Sequence, residues 1–230
     1  MIRQFAREFK AHFIMTGSYL GRVVMQKEFW SPMGDLVEKE VVQIIKRCEW
    51  VTKEELYIEY HDKEWGVPVY DDRKLFEMLC LEGAQAGLSW WTILKKRENY
   101  KEAFDNFEAE KIVNYTEEKL EQLMQDKGIV RNRRKIESVV TNAKAFLKIR
   151  EECGSFSNYI WKFVDNKPII NSWKSIEEVP ASTELSDKMS KQLKKDGFKF
   201  IGSTICYSFM QAVGMVNDHT TECFCYTKLI

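Results

Sequence analysis

From Arg73 onward, apolar residues recur with the 3.6-residue period of an α-helix, and most of the periodic runs close on a glycine. Leu75, Phe76, Leu79 and Ala86 mark one apolar stripe, with Asp71 and Asp72 ahead of it as candidate N-caps. Thr116 precedes Glu117 and Glu118 in the first turn of a second helix that stops near Gly128. Ile136, Val139, Val140, Ala143, Phe146 and Leu147 define a third, ending before Gly154, and Asn158 to Val164 reads as a shorter, aromatic-rich one. Pro168 to Val179 is irregular and connects two helical groups. Leu185, Met189 and Leu193 then mark a helix ending at Gly197, and Ile205, Phe209 and Val213 another ending at Gly214. With four prolines and eleven glycines in 230 residues, little interrupts these runs, so the fold class is mainly α.

A chain of this length buries a sizeable core, and it suits one domain or two small ones sharing a cleft. Its 35 basic residues balance 35 acidic ones, so attraction to nucleic acid has to come from local patches and not from a global field. No apolar run approaches the ~20 residues that cross a bilayer, and Phe13-Ile14-Met15 is too short for a signal-peptide core. The chain therefore reads as soluble and intracellular, with the cytoplasm as its expected place. Six cysteines in this context are more naturally thiols or metal ligands than a disulfide framework.

Residues 1–46 differ from the rest. Phe5, Phe9 and Phe13 recur at i, i+4, i+8, as in a short amphipathic helix, among Arg3, Arg7 and Lys10. Glu8 argues against a transit peptide. This stretch is read as an N-terminal extension of doubtful function, and residues 47–230 as the working domain.

Three features carry chemistry. Phe198-Lys199-Phe200-Ile201-Gly202 joins the last two helices; such a hairpin either grips a phosphate with its backbone amides and the second helix N-terminus, or is a plain helical hairpin. Gly202 would let a DNA strand approach closely. Cys48, His61, His219 and Cys223 supply two thiols and two imidazoles, the set a closed tetrahedral zinc site takes; His219 and Cys223 lie four residues apart, one turn if the segment is helical. The alternative is a satisfied histidine and small core cysteines, and Cys225 is a rival ligand. Glu82 falls three residues after Leu79 and four before Ala86, on the apolar stripe, where a carboxylate is costly unless paired or employed. It is otherwise a cap at a frayed helix end. Trp50, Tyr57, Tyr60 and Trp65 cluster upstream, and Gly87-Leu88 interrupts the helix with an apolar tip; a carboxylate among rings suits a flat cation.

Read together, the strings Arg47-Cys48-Glu49-Trp50, Tyr60-His61-Asp62, Glu64 to Pro68, Glu82 to Trp90, Gly197 to Met210 and Asn217-Asp218-His219 resemble the 3-methyladenine DNA glycosylase I family of the helix-hairpin-helix superfamily. The similarity runs from Arg47 to Tyr226. Trp91 stands where a smaller residue is common, and residues 1–46 have no counterpart.

The resemblance implies a monofunctional DNA glycosylase, probing double-stranded DNA that contains alkylated adenine and acting as a monomer. It implies a helix-hairpin-helix fold with one structural zinc on Cys48, His61, His219 and Cys223, joining the two ends of the domain. By the same resemblance Glu82 hydrogen-bonds the excised base, Trp90 stacks on it, and Tyr60, with Tyr57, Trp50 and Trp65, walls the pocket. Leu88 and Gly87 form the wedge that fills the vacated space, while Lys199 and Gly202 meet the backbone. Asp218, near where the wider superfamily carries a catalytic Asp, is expected to be structural. Two rivals remain at this level, a non-enzymatic DNA-binding module and a glycosylase for another lesion.

Overall fold

The structure, a computed structural model, describes the backbone of residues 15–19, 22–30, 36–44 and 229, and residues 45–228 with their side chains. It divides into two compact units, Met1–Arg47 and Cys48–Ile230. The first contains an antiparallel meander of β1 (Met15–Tyr19), β2 (Arg22–Trp30) and β3 (Leu36–Ile44), with Arg22 opposite Ile44 and Trp30 opposite Leu36. The pairs Val24–Val42, Met25–Val41 and Phe29–Val37 give it the β-branched and aromatic content that favours strands. The sequence pattern does not mark these segments as strands. The helix expected on Phe5, Phe9 and Phe13 lies outside the described residues.

The second unit is helical. Helix α1 (Glu55–Lys63) precedes α2 (Asp72–Gln85), which is buried without interruption from Leu75 to Ala84. A helix covered on every side needs neighbours all round. They are α3 (Trp90–Leu94), α7 (Arg133–Cys153), α8 (Phe156–Ile160) and α10 (Ser203–Ala212). Helices α4 (Arg97–Ala103), α5 (Ala109–Ile112) and α6 (Glu117–Gln125) fill the stretch before α7, and α9 (Glu184–Lys195) precedes α10. The core runs as a chain of rings: Phe107 on Phe76, Phe76 on Phe146, Phe146 on Phe156 and Phe156 on Phe198, with centroids 4.9–6.4 Å apart.

The caps explain most boundaries. Asp71 accepts the Lys74 amide and starts α2, whereas Asp72 turns away to accept the amides of Phe156 and Ser157 at 2.9 and 2.7 Å. With Ser155 capping Asn158, this starts α8 at Phe156, two residues earlier than the aromatic pattern suggested, and a 3-10 turn carries it to Val164. Gly154 ends α7 at φ +78°, and Gly197 ends α9 at φ +101° with the Phe198 amide donating to the Leu193 carbonyl. Between the helical groups, β4 (Ile169–Ile170) pairs in parallel with β5 (Val216–Asn217), which fastens the connecting segment to the chain after α10. Among the described residues, no helix is long and apolar enough to cross a membrane.

The segment after α1 is stitched to the end of α10. The Gly66 amide donates to the Gln211 carbonyl at 3.0 Å and the Val69 amide to the Val213 carbonyl at 3.1 Å. Gly214 makes this possible: its φ is +69°, and a Cβ there would lie 2.3 Å from the Val67 carbonyl carbon and 2.4 Å from the Pro68 nitrogen. Backbone cannot move aside as a side-chain tip can. Gly214→Ala is therefore expected to cost about 2 kcal/mol or more, from left-handed strain plus overpacking, and denaturant unfolding measures it.

Candidate active site and metal cluster

Helices α1, α2 and α3 supply most of the lining of a cleft of about 220 Å³. Helix α1 and its flanks give Trp50, Tyr57, Tyr60 and Trp65; α2 gives Glu82 and Gln85; α3 gives Trp90. The rings support one another: Trp50 lies 5.1 Å from Tyr57 and 5.0 Å from Trp65, and Tyr60 lies 5.2 Å from Trp90. Trp91 packs on Tyr57 from outside the set, at 5.3 Å.

Glu82 is 2% exposed, and its Oε2 has no hydrogen-bond partner among the described residues. The indole Nε1 of Trp90 is also buried and unpartnered. Burial pushes the Glu82 carboxyl up to about 8, and burial followed by the Glu82 charge pushes the Tyr60 phenol well above its ordinary range. Orphaned polar atoms in a folded interior call for an explanation, and two of them in one cleft point to a ligand that supplies the missing bonds. The alternative role for Glu82, as a cap at a frayed end, does not hold, because it sits inside the buried stretch of α2.

Beyond Gln85 the chain turns sharply. Gly87 adopts φ +77°, Leu88 is 41% exposed, and Ser89 caps α3 through the Thr92 amide. The last turn of α2 has no basic residue of its own; Lys135 from α7 supplies one, donating to the Ala84 and Ala86 carbonyls at 2.8 and 2.6 Å. The second turn, between α9 and α10, exposes Lys199, whose backbone is locked by Asn142 at 2.7 and 3.1 Å. A Cβ on Gly202 would meet no atom within 4 Å, and α10 begins without a side-chain cap.

Cys48, His61, His219 and Cys223 are all buried, and their ligand atoms lie within 4.8 Å of one another. Cys48 Sγ and Cys223 Sγ are each 3.5 Å from His219 Nδ1, and Cys223 Sγ is 3.4 Å from His61 Nε2. A tetrahedral ion with bonds of about 2.3 Å to sulfur and about 2.0 Å to nitrogen separates those atoms by roughly 3.5 Å. The remaining ring nitrogens are engaged as second partners of metal-bound histidines usually are: His61 Nδ1 with Asp62 at 2.7 Å, His219 Nε2 with the Trp65 carbonyl at 3.1 Å. These four residues could hold a metal ion. The helical turn expected between His219 and Cys223 is absent; a turn in which the Cys223 amide donates to the Thr220 carbonyl brings them together instead. Cys225 stays outside the set, its amide donating to Cys223 Sγ and its thiol near the carbonyls of His61 and Asp62.

Asp218 is 1% exposed and accepts from Asn171, Trp173, Tyr207 and Gln211 at 2.6–2.8 Å. Its lone pairs are spent on structure. Ile176, Ser208 and Gln211 also line the cleft and were missed in the sequence. The available signal was Ser208 and Gln211 standing i, i+3 in an otherwise apolar stretch of α10.

A buried, unpartnered carboxylate in a cleft walled by aromatic rings defines a protein with a binding site for a flat heterocycle. The particular kind follows from its relatives. A model of the methyladenine glycosylase family matches residues 50–226. DNA-3-methyladenine glycosylase 1 of Escherichia coli (strain K12) is 53% identical over 182 residues, which cover 79% of this chain and 97% of that protein. The DNA-3-methyladenine glycosylase of Haemophilus influenzae is 53% identical over 183 residues, covering 79% and 98%. A crystal structure of 3-methyladenine DNA glycosylase I matches with TM-score 0.77 at 55% identity, over 78% of this chain and 99% of that one. The Staphylococcus aureus 3-methyladenine DNA glycosylase I, solved for its recognition of 3-methyladenine, matches with TM-score 0.76 at 40% identity, over 78% and 96%. The chain belongs to the methyladenine glycosylase family.

The raised Glu82 carboxyl has a consequence for stability. Between about pH 4.5 and 8 the unfolded chain releases a proton that the folded chain keeps, so folding stability falls as pH rises through that window. Glu82→Gln removes this dependence. Denaturant unfolding across the window is expected to show the variant equal to the parent at the acid end and more stable, by up to a few kcal/mol, at the alkaline end.

Proposed function

We propose that this chain releases 3-methyladenine from alkylated double-stranded DNA by hydrolysing its N-glycosidic bond, leaving an abasic site for base excision repair. The observation that carries the reading is the buried, unpaired carboxylate of Glu82 in the cleft that Tyr60 and Trp90 also line. Methylation at N3 gives the adenine of the nucleotide a positive charge, which weakens the glycosidic bond and makes the base a good leaving group. Little acid catalysis is then needed. The protein has to extrude the nucleotide, at a cost of a few kcal/mol that is lower for damaged bases, hold the cationic ring and admit water to the sugar. Glu82, whose charge burial disfavours, gains a partner when a cation enters, and a neutral adenine offers none.

The other roles are read from the family resemblance, and the shared cleft supports them. Trp90 stacks on the base, Tyr60 contacts it, and Tyr57, Trp50 and Trp65 shape the wall. Leu88, presented by Gly87, fills the space the base leaves. The α9–α10 pair is read as a helix-hairpin-helix, with Lys199, the open face of Gly202 and the free amides of α10 at a backbone phosphate. No lysine lines the cleft among the described residues, which supports base removal without a Schiff-base strand break. The working domain is placed at residues 47–230, acting as a cytoplasmic monomer, and residues 1–46 are assigned no part in excision.

The ion for the four-residue cluster is read as zinc, in a structural role, since four protein ligands leave no position for a reacting water. When bound, it would supply cross-linking of residue 48 and α1 to the segment 219–223 and no step of the reaction.

Two outcomes are expected. Purified protein carries one zinc per chain by elemental analysis, and Cys223→Ala loses several kcal/mol of stability, each moving Tm by roughly 2–4 °C in a domain of this size. Unchanged stability would remove the structural role. Glu82→Gln, which keeps the shape, lowers single-turnover excision of 3-methyladenine by about ten- to a hundredfold, the worth of a hydrogen bond to a charged group. The parent's rate falls toward acid pH as Glu82 takes up its proton, whereas the variant's is flat. Full excision by the variant would make Glu82 a structural residue only.

A further inference from the structure

Charge recognition by Glu82 leaves one question of selectivity open. Methylated guanine is also cationic in the nucleotide, so a buried carboxylate by itself does not separate it from methylated adenine. The two bases differ where adenine carries its exocyclic amine, a donor, and guanine its O6, an acceptor. A second, uncharged acceptor held in fixed orientation would tell them apart.

Gln211 has the form of such a group. It lies half-buried on the cleft face of α10, and both ends of the residue are held. Its carbonyl accepts the Gly66 amide at 3.0 Å, and its side-chain Nε2 donates to Asp218 Oδ2 at 2.8 Å. Asp218 also receives the indole Nε1 of Trp173, which can only donate, and the Tyr207 hydroxyl. A carboxylate that acts as acceptor to all its neighbours fixes which end of the Gln211 amide faces it: the nitrogen. Oε1 is then the end left for the cleft, and it makes no hydrogen bond among the described residues. A free amide could rotate to offer either atom, but this one offers its oxygen.

We infer that Gln211 determines specificity for the excised base, its Oε1 accepting a hydrogen bond from the exocyclic amine of methylated adenine and opposing the O6 of guanine. The inference rests on the reading that this cleft takes 3-methyladenine. Glu82 then reads the alkylation and Gln211 reads the adenine. A site built to bond a donor rejects an acceptor in the same place, because its own acceptor is left buried and unpaired. Asp218 is a positioning residue in this scheme, acting only through Gln211.

The test uses the full chain, with single-turnover excision from duplexes carrying 3-methyladenine and, separately, 3-methylguanine. Gln211→Met keeps the length and removes the acceptor; Gln211→Asn keeps an amide too short to hold Asp218 and reach the cleft together. For each variant that keeps the parent's melting profile, the ratio of the two rates is expected to fall about tenfold, through loss on 3-methyladenine. Equal loss on both duplexes, or loss on neither, overturns the inference. A parent that releases no 3-methyladenine overturns the reading beneath it; an active parent with variants of unchanged ratio overturns this inference alone.

Discussion

Helix α1 buries only two of its nine residues, Tyr60 and His61, and the two serve different ends. Tyr60 faces the cleft, while His61 belongs to the cysteine and histidine cluster. A helix this short, with no side-chain cap at its start, does not hold itself in place. It is fixed at two points. His61 sits against Cys223 and His219, and Glu64, at the helix end, is gripped by Arg97, which also holds Glu77 on α2 at 2.6 Å. Because Trp50 and Trp65 pack on His61 and on each other, the rings that wall the cleft inherit their positions from these anchors. Specific packing on one face of the helix therefore depends on polar chemistry on the other.

The opposite wall is built on a different principle. Helix α2 is covered all round, and such a helix can tolerate a group that would destabilise a looser one. Glu82 is that group, a carboxylate whose charged form has no compensating partner among the described residues. Its cost is carried by the core on either side, from Leu75 to Leu81 below and Ala84 above. The same helix ends where Lys135 satisfies its last carbonyls, so the turn bearing Leu88 starts from a defined point. One wall is held by burial and the other by its contacts with the cysteine and histidine cluster, with the cleft between them.

Much of this was legible in the residues. Helical periodicity located α2, α6, α7, α9 and α10, because each presents one apolar face or ends on a glycine of positive φ. Glu82 stood out because it broke its own stripe, and four metal-type residues stood out by kind. What escaped was whatever depends on a distant partner. Asp72 reads as a cap for α2, but it caps α8, 84 residues away. The turn between His219 and Cys223 has the spacing of a helix without being one. Gln211 and Ser208 carry only a faint local mark, two polar residues in an apolar stretch; folding α10 against α2 places them on the cleft. The strands of residues 15–44 were missed because charged residues interrupt their β-branched ones and blur the alternation.

The cluster that anchors α1 joins Cys48 to His219 across 171 positions of sequence. Contacts this remote close late, since the chain entropy they remove is recovered only when the intervening helices have packed. On the ribosome the delay is absolute for this anchor: the ring-bearing wall can meet Arg97 and α3 earlier, but His61 has no cluster to join until synthesis has passed Cys223. The chain of rings from Phe76 to Phe156 can assemble earlier from segments already made. A nascent chain thus acquires its core before the cluster that fixes one wall of its cleft, which waits for residues 219–223.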